Sequence, residues 1–132
     1  MTSSCREAIR RIRPISGTLF GLVVLASIGS ATAEAFRVLK GPEIRSLFTG
    51  MEFTDEVHWT LVLGRDGTLT NIGMGRKTVG RWQVKQDQLC LDRARDEQRC
   101  YVVSRSGKTY RLQEPDSDIY EEGIVQRPVA RH

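Results

Sequence analysis

The chain has 132 residues, the length of one domain, and its 20 Lys+Arg against 16 Asp+Glu give a net charge of +4. Four of the basic residues and one acidic residue fall in the first 33 positions, which leaves 16 against 15 in the remainder, about +1. The basicity therefore belongs to the front segment, and the charge gives no support to nucleic-acid binding.

That front segment reads as a secretory leader. Arg6, Arg10, Arg11 and Arg13 precede the uncharged, mostly apolar run from Ile15 to Ile28, and Ala31-Thr32-Ala33 supplies the small residues at which a signal peptidase cuts, after Ala33. The alternative is an uncut anchor. The run is shorter than the roughly 20 residues a membrane-spanning helix needs, and Gly17, Ser27, Gly29 and Ser30 thin it further. Arg10-Arg11 lacks the bulky apolar residue of a twin-arginine signal. Cys5 precedes the apolar run, so it is not a lipoprotein cysteine and leaves with the leader. The expected organisation is a signal peptide over 1–33, a single β domain over 34–126 and a frayed tail over 127–132. Location is then periplasmic or secreted, with membrane contact only during export.

The mature part opens with one helix, near 42–49 in KGPEIRSLFTG. Pro42 suits the first helical position, Glu43 the positive end of the helix dipole, and Gly50 a left-handed close. Ile44, Leu47 and Phe48 form its apolar stripe. So short a helix does not stand alone, and it is expected to cap or plug something larger.

Strands are expected after it. Val57, Trp59, Leu61 and Leu63 alternate with His58, Thr60 and Val62; Asp66-Gly67 turns the chain, and Thr68 to Ile72 returns. Gly73 to Lys77, GMGRK, reads as a glycine-rich loop. In Thr78 to Val84, Gly80, Trp82 and Val84 share a face, and Asp87 lies in the next turn. Cys90 and Cys100 lie on adjacent antiparallel strands, as in a cross-strand disulfide kept by an oxidising compartment. If they sit opposite each other, Leu89 faces Tyr101, Leu91 faces Arg99, and the turn centres on Arg95. Leu89, Leu91, Tyr101 and Val103 then lie on the face away from the bridge, which stays outside the main core. Strands through Tyr110–Leu112 and Ile124–Val125 follow. Residues 61–67 and 101–107 resemble each other, as two hairpins with the same turn chemistry would.

The expected fold is all-β: a small up-and-down antiparallel barrel, or a strongly curved sheet, of about seven or eight strands with one short N-terminal helix. Closure would remove exposed edges and let the helix cover one mouth.

No catalytic motif is present, and neither a catalytic residue, a metal nor a cofactor is expected. His58 could form an acid–base set with Asp55 or Glu56, but residues so close along a strand seldom converge. Asp116, Asp118, Glu121 and Glu122 cluster carboxylates without EF-hand spacing, since Tyr120 stands where a ligand is wanted. Two thiols in an exported chain pair more simply than they bind zinc. The candidate binding residues are aromatic and basic. Trp59, Trp82 and Tyr110 either fill the barrel or touch an apolar ligand inside it. Arg76, Lys77 and Arg81, with mobile Gly73 and Gly75, form a basic loop suited to an acidic partner.

From Leu39 to Val103 the motifs L-x-G-x-E-I, F-x-G, R-D-G-T, G-R-W-x-V, L-C-L and C-Y-V resemble a group of small secreted bacterial β-domain proteins of uncharacterised function. The tryptophan followed by a two-cysteine hairpin is more remotely similar to the lipocalin-like secreted protease inhibitors, although here Gly80-x-Trp82 lies mid-chain and residues 34–40 show no inhibitory trunk. The expected function is a non-enzymatic binding module for an envelope protein, a secreted protein or a small ligand. The alternative is an inhibitor of a secreted protease or lysozyme, acting through a loop or through residues 34–40.

Overall fold

The computed structural model describes residues 35–93 and 97–131, together with Gly17, Gly21 and Gly29. The expected signal peptide with cleavage after Ala33, and the expected turn centred on Arg95, lie outside the described residues.

The helix, α1, spans Gly41–Phe48, so Pro42 takes the second position instead of the first. Proline is tolerated there because N–H groups of the first turn have no intrahelical acceptor. Glu43 reaches back to accept the Lys40 N–H at 3.3 Å, and the Gly41 N–H donates to Asp87 Oδ1 at 2.7 Å. Gly50, at φ 74°, ends the helix in the left-handed conformation that a side chain resists. Ile44 and Phe48 are fully buried, and with Leu39 they enter the core.

Eight strands form the ring: β2 Met51–Thr54, β3 Trp59–Leu63, β4 Thr68–Gly73, β5 Arg76–Lys85, β6 Gln88–Asp92, β7 Arg99–Ser106, β8 Thr109–Gln113 and β9 Tyr120–Gln126, with a two-residue β1, Arg37–Val38, added on β7. Each strand pairs antiparallel with the next, and β9 returns to β2 through Phe53↔Val125, so the sheet is a closed up-and-down barrel. Of the two forms the sequence allows, closure prevails because β2 supplies the missing partner for β9. Neither β1 nor β2 was legible in the hydrophobic pattern.

The inward residues follow the two-residue period of the pleat. Leu61 and Leu63, Leu69, Leu89 and Leu91, Val103 and Leu112 are all buried, as is Phe53. Gly80, Trp82 and Val84 do share a face, because their partners across the sheet are Leu69, Leu91 and Leu89. Phe48 brings the helix into this core, 5.6 Å edge-on to Tyr110 and 6.1 Å from Phe53. The helix plugs one end of the barrel.

The β6–β7 pair keeps the expected register: Cys90↔Cys100, Leu89↔Tyr101 and Leu91↔Arg99. Cys90 and Cys100 are disulfide-bonded. The bridge points away from the apolar cluster, although Cys90 itself is fully covered. Cross-linking positions 10 residues apart removes loop-closure entropy from the unfolded chain. Cys90→Ser is therefore expected to lower stability by about 2–3 kcal/mol and still fold. Thermal melts of oxidised wild type and variant check this, and identical midpoints would contradict it.

Three local expectations are corrected. Val57 and His58 precede β3 in a bend and do not extend it, and Val57 is 80% exposed. The glycine-rich loop is a two-residue turn: Gly73 pairs with Arg76, and only Met74 (φ 50°) and Gly75 (φ 73°) connect the strands. Positive φ at both positions gives the turn the twist that a tight hairpin needs. Arg76 and Lys77 thus belong to β5. The third correction concerns the tail, which carries no regular structure after Gln126 but is tied down through Arg131 rather than frayed.

Candidate binding site at the unplugged end of the barrel

The end opposite the helix is bounded by the 55–58 bend, the Met74-Gly75 turn and the starts of β5, β7 and β9. The six candidate binding residues do not converge there. Tyr110 and Trp82 lie toward the plugged end: Tyr110 packs on Phe48, and Trp82 Nε1 donates to the Gly64 carbonyl at 2.8 Å. Trp59 is half-buried at the open end, 4.9 Å from the Phe53 ring. All three aromatics pack with the core, which accounts for them without a ligand. Within β5, Lys77 and Arg81 share the outward face, whereas Arg76 has the inward parity of its neighbour Gly73 and of Trp59. Four residues of strand separate Lys77 from Arg81, about 13 Å. Arg81 also donates to the Asp66 carbonyl at 3.4 Å. The basic group is a stripe along a strand rather than a loop.

The bend owes its shape to Asp55. Its Oδ1 accepts the N–H groups of Val57, His58 and Trp59 at 3.1, 2.8 and 2.9 Å, and its Oδ2 lies 2.8 Å from His58 Nδ1. Partial burial works against the charged carboxyl, but these donors outweigh it and hold Asp55 well below its ordinary value. Asp55 and His58 do converge, contrary to the strand-based expectation, because a bend folds the chain back on itself. The pair is two-thirds of a nucleophile–base–acid set; among the described residues, no hydroxyl or thiol is hydrogen-bonded to His58.

Sequence reasoning missed the strongest polar site. Glu52 faces outward on β2 yet is fully buried, because the C-terminal residues fold over it. Arg131 Nη1 and Nη2 donate to its two oxygens at 2.8 and 3.2 Å, Gln126 Nε2 donates at 2.7 Å, and Arg131 also reaches Thr60 Oγ1 at 3.3 Å. Burial alone would raise the Glu52 carboxyl, but the hydrogen bonds from Arg131, then Gln126 and Val129, hold it below its ordinary value. The only signal in the sequence was an acidic residue alternating with Met51 and Phe53. Its partner, 79 residues away, left no trace.

Both carboxyls have lowered folded-state values. The stability they contribute is therefore complete above the unfolded carboxylate range, and it is lost as pH falls from about 4 through those values. The melting temperature is expected to drop below about pH 4, and to drop less steeply in Glu52→Gln. An unchanged pH profile in that variant would contradict the assignment to Glu52.

Two hollows open at this end. One, of about 240 Å³, lies over Leu91, Tyr101 and Leu112 inside the mouth and is edged by ion pairs: Arg93 holds Glu121 through two bonds at 3.0 and 2.7 Å, and Arg99 meets Glu114 at 3.1 Å. The other, of about 610 Å³, lies between the 55–58 bend, the Met74-Gly75 turn and the tail, with Trp59, Ile72 and Arg131 in its wall. Exposed Val57, Met74 and Val129 stand around this larger cleft. Such a rim offers apolar contact flanked by polar anchors, which suits a protein surface.

Compared with known proteins, the chain matches no family model, no curated protein and no solved structure.

Proposed function

We propose that this chain is a non-enzymatic binding module, periplasmic or secreted, which meets another protein of that compartment with the unplugged rim of its barrel. One observation carries the choice of a protein over a small ligand. Most of the interior is filled by a continuous apolar cluster, with Phe48 and Ile44 driven into one end and only the hollow of about 240 Å³ left inside the mouth, so the larger concave space lies outside the wall. The disulfide is compatible with an oxidising compartment and so supports the location.

An inhibitor acting through residues 34–40 fits less well. Phe36 stacks on Arg111 at 3.9 Å, Arg37–Val38 pairs with β7 and Leu39 is buried, so much of that segment is docked. Native mass spectrometry of the protein taken from its own compartment tests the proposal. The expected spectrum shows the polypeptide without a small molecule, together with a stoichiometric complex with a second protein. A retained apolar compound would overturn the reading.

A further inference from the structure

We infer that the first half of β5 is an open sheet edge that accepts an extended, acidic segment of a partner as an added strand. This deepens the binding-module reading and rests on it.

The edge exists because β5 is longer than one of its neighbours. β4 pairs with Arg76 through Arg81, whereas β6 pairs only with Arg81 through Lys85 and ends at Asp92. Among the described residues, nothing pairs with Arg76 to Gly80 on the β6 side. The two-residue turn makes Gly73↔Arg76 a mutually hydrogen-bonded pair, and alternation gives the same role to Asn71↔Thr78 and Leu69↔Gly80. The N–H and C=O groups of Lys77 and Val79 must then point the other way, into the gap that begins where Arg81 meets Asp92. Four backbone groups are presented in strand geometry.

The side chains beside them set the chemistry of the occupant. Val79 is 58% exposed, Arg76 and Lys77 are exposed, and none of Arg76, Lys77 and Arg81 is in an ion pair among the described residues. Lysine on an edge guards against indiscriminate pairing. It also selects, because a strand with a carboxylate opposite Lys77 and an apolar residue opposite Val79 converts that penalty into attraction. A second copy of this chain is a poor occupant, since its own Arg76, Lys77 and Arg81 would bring like charge to the same edge.

The test uses a capped hexapeptide of sequence Thr-Val-Thr-Glu-Thr-Thr, whose antiparallel docking sets Glu opposite Lys77 and Val opposite Val79, and its lysine counterpart, titrated into the whole mature protein. The acidic peptide is expected to slow hydrogen exchange at the Lys77 and Val79 amides, and to bind more weakly as salt is added. Val79→Pro removes an edge donor while sparing the rungs to β4, so it should weaken binding by roughly tenfold or more with little change in melting. Lys77→Glu should reverse the preference between the peptides. Equal binding of the acidic peptide to wild type and Val79→Pro, equal binding of both peptides to wild type, or unprotected Lys77 and Val79 amides would each overturn the inference. The exchange measurement on wild type needs no variant. A native partner complex that forms equally with Val79→Pro would remove this site and leave the binding-module reading standing.

Discussion

Replacing Phe48 with alanine is expected to cost about 3–5 kcal/mol of unfolding free energy, the largest loss for any single side chain in this barrel. Three features add up at this position. The ring is fully buried, it meets Tyr110 edge-on at 5.6 Å, and it meets Phe53 at 6.1 Å. The helix that carries it spans only 8 residues, too short to be stable in water by itself, so its order depends on the packing that this side chain provides. The surrounding ring of strands cannot collapse into the space, because its backbone bonds close on themselves through β9 and β2. A domain of this size has about 5–15 kcal/mol in total, so the variant should melt more than about 12 °C lower. Ser46→Ala, on the exposed side of the same helix, should change stability by less than about 0.5 kcal/mol. Chemical denaturation of the two variants separates loss of the plug from general weakening of the helix, and equal losses would contradict the role given to Phe48.

Gly123→Ala should be nearly as damaging, at about 3 kcal/mol, for the opposite reason. Gly123 lies in β9 opposite Tyr110, on the inward face. A methyl group there would run into the Thr54 carbonyl oxygen, would sit 2.9 Å from its carbon and 3.0 Å from Phe53 Cε2. Backbone on one side and a buried ring on the other leave nothing that can give way cheaply. The turn glycine Gly75 offers a control: it meets nothing within 4 Å, but its φ of 73° disfavours a side chain. Gly75→Ala should therefore cost only about 1 kcal/mol, as conformational strain. Melting of Gly123→Ala within a degree or two of wild type would show that β9 and β2 are not so closely apposed.

What could be read from the sequence was what depends on near neighbours. Leu89, Leu91, Tyr101 and Val103 alternate around two cysteines, and that local pattern sufficed for the register and for the face each residue takes. The stripe of Ile44, Leu47 and Phe48 likewise placed the helix to within one residue and implied its role as a plug. Features set by distant partners were hidden. β2 is four residues long, and half of it is polar; Glu52 is buried only because Arg131 and Gln126 return to it. Met74 concealed the tight turn, since methionine seldom adopts positive φ, and so two basic strand residues read as part of a loop. The candidate site shows the same division. Residue types alone picked out Arg76 and Lys77, but only the unequal lengths of β5 and β6 reveal that they flank an open edge.

The proposed export into an oxidising compartment connects the disulfide with the proposed location and binding role, and one mass measurement addresses it. Intact and peptide mass spectrometry of the protein recovered from its own cell, with free thiols blocked at lysis, should give a chain beginning at Glu34, two hydrogens lighter than the reduced form, with the Cys90 and Cys100 peptides joined. A chain that retains Met1 and carries the blocking group on both Cys90 and Cys100 would contradict the account.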